Sequence, residues 1–343
     1  MRDYTNAPSK LLVLSRAAST ALTAILLSAL PLAAVAGGSN YGIPPGARVI
    51  AGKVSEWPVP TPKFARDPTP APDGSIFFVA MTGNKLARFD PKAQAFREWD
   101  LPEDTNPHSV LVDADGVAWL TGKGNGTIVE FHPDTGETVV HRVPSGGDPH
   151  TAALDDTGVL WFTEQGANRI GGLDRKIGTI TEYETSGTPY GITIDMEGNV
   201  WFCRIGGDML GKLDRKTGII TDLPTGKDSS PRRMATAPDG MLWVTLWGNG
   251  RLAHVDPKTA TVIKEYTLPN GEDGGPYAVT IDAEGKVFAN EFNADTVVIL
   301  DPSTDSMRAV NVPKKTGIRK MVIDQEGRLW YVGSTSGRLG MIQ

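Results

Sequence analysis

A glycine recurs along this chain at a nearly fixed step: Gly74, Gly116, Gly158, Gly198, Gly240, Gly285 and Gly327, separated by 42, 42, 40, 42, 45 and 42 residues. Each ends a turn of D-x-x-G type, and three residues later stands a large aromatic: Phe77, Trp119, Trp161, Trp201, Trp243, Phe288 and Trp330. A period near forty with a recurring aromatic is the mark of propeller blades, each a four-stranded sheet that cannot bury its faces alone. Seven units predict an all-β fold, a seven-bladed β-propeller. In the third unit the strands are predicted at 150–154, 159–164, 169–174 and 179–185, short β-branched and aromatic runs broken by Gly, Asp and Asn. The seventh unit ends without a fourth strand, and VSEWPVP (54–60) carries the fourth-strand pattern of FREWDLP (96–102) with no strands before it. Residues 54–60 are therefore predicted to be the outer strand of the last blade, closing the ring and removing two sheet edges. The propeller domain is set at 54–343, with a Gly/Pro-rich lead-in at 37–53.

The N-terminus reads as an export signal over residues 1–36. A weakly basic head precedes an uncharged apolar run, and Ala34 and Ala36 flank Val35 in the A-x-A pattern of signal-peptidase cleavage. The segment suits a membrane span poorly, because Pro31 and many small residues interrupt it. The expectation is a secreted or periplasmic protein, monomeric, with no membrane partner after cleavage. The full chain carries a net charge of −6; losing Arg2, Lys10, Arg16 and Asp3 removes a net +2 and leaves −8. That balance argues against nucleic acid as a partner. With Cys203 alone no disulfide forms within the chain, so stability must come from packing; Cys203 itself reads as a small buried apolar residue.

In a propeller the first strand of each blade lines the central channel. His150 and Glu164 lie seven residues either side of Thr157, which in a regular hairpin makes them facing partners, their Cβ atoms about 5 Å apart. Asp148, two residues before His150, projects to the same side. The three are expected to converge at one mouth of the channel. The His150 position reads, in chain order, Arg66, His108, His150, Tyr190, Arg232, Tyr277 and Arg319, and the Glu164 position places Arg204 there in the fourth blade. Arg66, Arg204, Arg232 and Arg319 at the mouth of an acidic protein suggest a small-molecule ligand that is anionic or bears a carboxylate.

These units resemble those of streptogramin B lyases, the virginiamycin B lyase family of seven-bladed propellers, over nearly all of the chain after the signal. The carriers are Pro107-His108, Pro149-His150, the run LWFTEQGANRIGGLD and GTITEY in the third unit. The resemblance implies a carbon–oxygen lyase that opens a cyclic depsipeptide, His150 acting as proton acceptor and His108 contacting substrate. It further implies Mg2+ shared by Asp148, where the family has Glu, and Glu164. Such chemistry is physically reasonable: a neutral imidazole is suited to remove a proton α to an ester carbonyl when a cation polarises that carbonyl. Tyr190, Tyr277 and Trp247 would supply ring surfaces. Two other classes stay open: a binding propeller without chemistry, and a gluconolactonase-type hydrolase recruiting Glu164, Asn290 and Glu291 around a metal.

Overall fold

The computed structural model describes residues 52–343. The predicted signal segment and nearly all of the lead-in lie outside the described residues. Seven four-stranded antiparallel sheets follow one another, six of them built from consecutive strands. The seventh has the outer strand Val54–Pro58 hydrogen-bonded to Arg338–Ile342, as the fourth-strand pattern requires. Glu56 fixes that closure by accepting from the Tyr331 hydroxyl at 2.9 Å and pairing with Arg338 at 3.1 Å. Trp57 packs on Phe89 of the first blade and Trp330 of the last, with ring centroids at 5.0 and 5.9 Å.

The repeated turn has a definite function in the fold. In blades two, three, four and seven an aspartate opens the turn, and the indole Nε1 of the recurring tryptophan donates to it: Trp119 to Asp113, Trp161 to Asp155 and Trp201 to Asp195 at 2.9 Å, and Trp330 to Asp324 at 2.7 Å. The same carboxylate caps backbone N–H groups two and four residues on, as Asp155 does for Thr157 and Val159. Burial alone would raise the Asp155 carboxyl, but these donors hold it below its ordinary value. Arg215 of the fourth blade reaches it at 3.0 Å and bolts two blades together.

The innermost strands are Ala65–Pro70, Pro107–Val112, Pro149–Leu154, Pro189–Ile194, Pro231–Thr236, Pro276–Ile281 and Ile318–Ile323. Each pairs with its second strand through a register shift near its start. In four blades a side chain two residues after the aromatic occupies the gap. Thr121, Thr163 and Thr245 accept from the N–H groups of Ser109, Thr151 and Arg233 at or beside the bulge, and Asn290 accepts from Ala278. Each also donates to a carbonyl of the next blade's inner strand: Thr121 to His150, Thr163 to Tyr190, Thr245 to Tyr277 and Asn290 to Ile318. In the fourth blade Cys203 holds this position, buried as expected, and burial pushes its thiol far up.

Replacing Thr163 by Val keeps the shape but leaves the Thr151 N–H and the Tyr190 carbonyl without their buried partner. The expected loss is roughly 2–4 kcal/mol of unfolding free energy, with Thr163→Ser close to wild type. Denaturant melts of the two variants check it; equal midpoints would show that the bridge contributes nothing.

Candidate active site

The register shift decides what reaches the channel. Because Glu164 pairs with Pro149 and Phe162 with Ala152, His150 and Thr151 bulge out of the ladder together. His150 is thus not the facing partner of Glu164, contrary to the symmetric-hairpin expectation. It stands against His108 of the preceding blade, ring centroids 3.4 Å apart, and against Tyr190 of the following one at 4.4 Å. The two histidines are 2% and 3% exposed, which makes the channel, not the surface, their environment. Burial drives both imidazoles well below their ordinary pKa; the positive charges of Arg66, Arg233 and Lys123 add to it, so both are neutral at neutral pH.

A hydrogen bond assigns the His108 tautomer. His108 Nδ1 lies 2.7 Å from the His150 carbonyl, which only accepts, so Nδ1 carries the proton and Nε2 keeps its lone pair. His150 Nδ1 lies 2.8 Å from the Thr151 hydroxyl, and Arg233 donates to that hydroxyl at 2.8 Å. The Thr151 hydroxyl keeps a second lone pair and its own proton beside the Arg233 bond, so it serves His150 Nδ1 as donor or as acceptor and fits either His150 tautomer.

The acidic pair behaves differently from expectation. Glu164 is fully buried and receives a 2.7 Å bond from Ser145 Oγ, whose N–H bonds Glu182. Glu164 Oε1 has no hydrogen-bond partner. Burial, together with the neighbouring Glu182 carboxylate, raises Glu164 to about 7, with Ser145 and Arg169 opposing. Asp148 is not aimed at His150: it accepts from the Lys123 ammonium on one oxygen and the Gly166 amide on the other, and Lys123 also donates to Gln165 at 2.9 Å. The convergence of Asp148, His150 and Glu164 on one point is therefore not realised. As a cradle for Mg2+ these residues fit poorly, since Lys123 already neutralises one carboxylate and a proton competes for the other. Among the described residues no group of three or more His, Cys, Asp or Glu is placed to hold a metal.

Arg204 also departs from expectation. Standing opposite Pro189 rather than in the bulge, it turns to pair with Asp222 of its own blade at 2.6 Å and to donate to Thr185 at the end of the third blade. The residues recruited for a lactonase are likewise committed. Glu291 is bonded by Asn270 and Thr296, and Asn290 is spent on the inner-strand bridge.

The other expected channel residues do meet. Tyr190 and Tyr277 share a hydroxyl–hydroxyl bond, and Arg319 Nη1 donates to Tyr277 at 3.2 Å. One residue deeper, Asp67, Arg233 and Lys320 come together from blades one, five and seven, with Arg233 3.5 Å from Asp67. Sequence reasoning missed this second tier and Lys123. The consecutive pairs Arg66-Asp67, Arg232-Arg233 and Arg319-Lys320 were visible, but strict alternation sends alternate residues to opposite faces and hides one of each pair.

A model of the virginiamycin B lyase family matches residues 96–343. The chain belongs to that family. Solved structures agree on the fold. A streptogramin B lyase is 21% identical with a TM-score of 0.77, over 85% of this chain and 97% of its own. A catalytically inactive virginiamycin B lyase from Staphylococcus aureus with quinupristin is 20% identical with a TM-score of 0.78, over 85% and 99%. Hydrazine synthase from Kuenenia stuttgartiensis, 16% identical with a TM-score of 0.71, matches over 84% and 97%. No curated protein matches the chain. In this member of the family His108 and His150 are a neutral pair in the channel, and the carboxylates Asp148 and Glu164 are engaged with Lys123 and Ser145.

That engagement has a measurable consequence. Mn2+, followed by its paramagnetic resonance as a probe for Mg2+, should bind the wild-type protein weakly. Lys123→Met should tighten it by roughly tenfold or more, about 1.4 kcal/mol per tenfold, by freeing Asp148. Tight binding to the wild type, or no gain in the variant, contradicts the fit described above.

Proposed function

We propose that this family member is a carbon–oxygen lyase working in the channel, with the adjacent histidines as its proton-handling groups. The observation that carries the reading is the neutral His108–His150 pair, contributed by the Pro-His steps of adjacent blades. A neutral imidazole accepts a proton without first losing one. The His108 Nε2 lone pair makes this residue an acceptor alongside His150, which the resemblance alone favoured. In the reaction the base takes the proton from a carbon α to a carbonyl. Its electron pair becomes the new Cα–Cβ double bond, the Cβ–O bond breaks, and the ester oxygen leaves as a carboxylate. No water is consumed. The Lys123 ammonium, close enough to depress both imidazoles, supplies positive charge for the polarised carbonyl. A divalent ion at Asp148 and Glu164 would first have to displace it. The substrate class is a cyclic depsipeptide or related ester, and the N-terminal segment directs the protein to the periplasm or the exterior.

A second reading, an exported propeller that binds a small molecule without chemistry, is favoured by the Lys123–Asp148 pair in place of an open metal site.

The test is turnover of a streptogramin B depsipeptide by the purified protein with Mg2+ and with EDTA, beside His150→Ala and His108→Ala. Linear product without added water, reduced at least about a hundredfold in one or both variants, is the expected result. Because both imidazoles stay neutral below their ordinary pKa, the acid limb of kcat/KM should lie below about 6.5. No turnover by the folded protein, or full turnover in both variants, sinks the lyase reading.

A further inference from the structure

The seven innermost strands carry five cationic side chains, Arg66, Arg232, Arg233, Arg319 and Lys320, and a single acid, Asp67. This imbalance sits in a protein whose net charge is −6, so it is a local feature and not a general basicity. Asp67 is committed to Arg66 at 3.2 Å and Arg233 at 3.5 Å. The neutral histidines add no countercharge. Three guanidiniums therefore face the mouth with donors to spare. Arg66 is 4% exposed, and its Nη2 is buried without a hydrogen-bond partner. Arg232, partly exposed, lies over Trp247 at 4.8 Å and over Tyr190 and Tyr277 at 5.8 Å, with its Nε also lacking a partner. Arg319, also partly exposed, bonds only neutral oxygens, those of Ser334 and Tyr277, and lies over Phe64 and Phe292 at 5.3 and 5.0 Å.

We propose that the channel mouth is a binding site for a small carboxylate with a planar apolar body, the carboxylate held by Arg232 and Arg319 above Arg66. A guanidinium matches a carboxylate with two parallel N–H donors, and three of them in a desolvated channel favour an anion over any neutral ligand. The body is assigned from the walls: Trp247, Tyr277 and Phe292 pack on one another with centroids 5.6 to 5.9 Å apart and flank both outer arginines. The excess charge leaves its trace on neighbouring groups. Burial pushes Lys320 down to about 7, Asp67 resisting and Arg233 and Arg66 adding to it. Tyr277 is lowered although burial acts to raise it, because Arg233, Arg66 and Arg319 favour its anion. Tyr190 lies under Arg232 at 5.8 Å and 4.4 Å from the His150 ring, so the site adjoins the histidine pair and goes beyond the lyase reading without depending on it.

Benzoate is the probe, measured by titration calorimetry and by tryptophan fluorescence on the intact protein, with benzamide as its uncharged isostere and inorganic phosphate at matched ionic strength. Benzoate cannot undergo the elimination, so this experiment reads binding alone and its failure leaves the turnover result standing. The expectation is that benzoate binds at least about tenfold more tightly than benzamide or phosphate. Arg232→Gln and Arg319→Gln should each weaken it by about tenfold or more, while Arg204→Gln, whose side chain is turned away to Asp222, leaves it unchanged. Thermal melting of each variant certifies its fold; should Arg319→Gln fail to fold, the more peripheral Arg232→Gln carries the test. Equal affinity for benzoate and benzamide, affinity indifferent to Arg232, or phosphate binding without benzoate binding each overturns the proposal.

Discussion

The arrangement of the channel depends on one hydrogen-bonded bridge used four times. A threonine or asparagine on the second strand accepts from the inner strand of its own blade and donates to the inner strand of the next. One side chain thereby satisfies a backbone N–H that the bulge removes from the ladder and a carbonyl at the blade junction. Buried backbone groups must be paired somewhere, and a bulge is affordable only where something replaces the lost partner. Where the bridge is missing, packing substitutes for it. In the fourth blade Gly191 lets the fifth blade's inner strand approach so closely that a Cβ there would stand 2.4 Å from the Arg232 carbonyl.

The ring was legible from the period of the glycines and aromatics, and its closure from the unmatched strand at 54–60, because both are properties of a repeated unit. What escaped sequence reading was a one-residue matter. Counting outwards from Thr157 makes His150 and Glu164 partners, but the bulge moves Glu164 opposite Pro149. A single slip exchanges which face a side chain occupies. Glu164 and Arg204 leave the channel for that reason, and Thr151, Arg233 and Lys320 enter it. The signal lay in the sequence, in the Thr or Asn two residues after the aromatic of blades two, three, five and six. Its meaning depends on a contact with another blade, and no local pattern states that. Lys123 was invisible for a related cause: it comes from a loop 25 residues before the aspartate it meets.

Electrostatically the molecule is divided. Outside it is acidic; along the axis, cations outnumber the one buried carboxylate, and the nearest titratable rings have been forced neutral. Neutral imidazoles beside guanidiniums are weak bases, held uncharged to a lower pH than water would keep them. The channel thus joins two properties, proton acceptance and attraction for negative charge, that compete whenever an anion approaches: a bound carboxylate would favour the protonated histidines and reset their titration.

The bulge has a further effect on how such a protein diversifies. An ordinary strand offers one side chain per two residues to a given face; the bulged inner strands offer two in succession, as His150-Thr151, Arg232-Arg233 and Arg319-Lys320 do. The outer member of each pair stands towards the mouth, while inner members such as Thr151 and Arg233 are tied to partners across the axis. Exchange of an outer residue can therefore alter what the mouth admits without unpicking the network beneath it. Selection is given a face to vary and a floor to keep, repeated in blades three to seven around one axis.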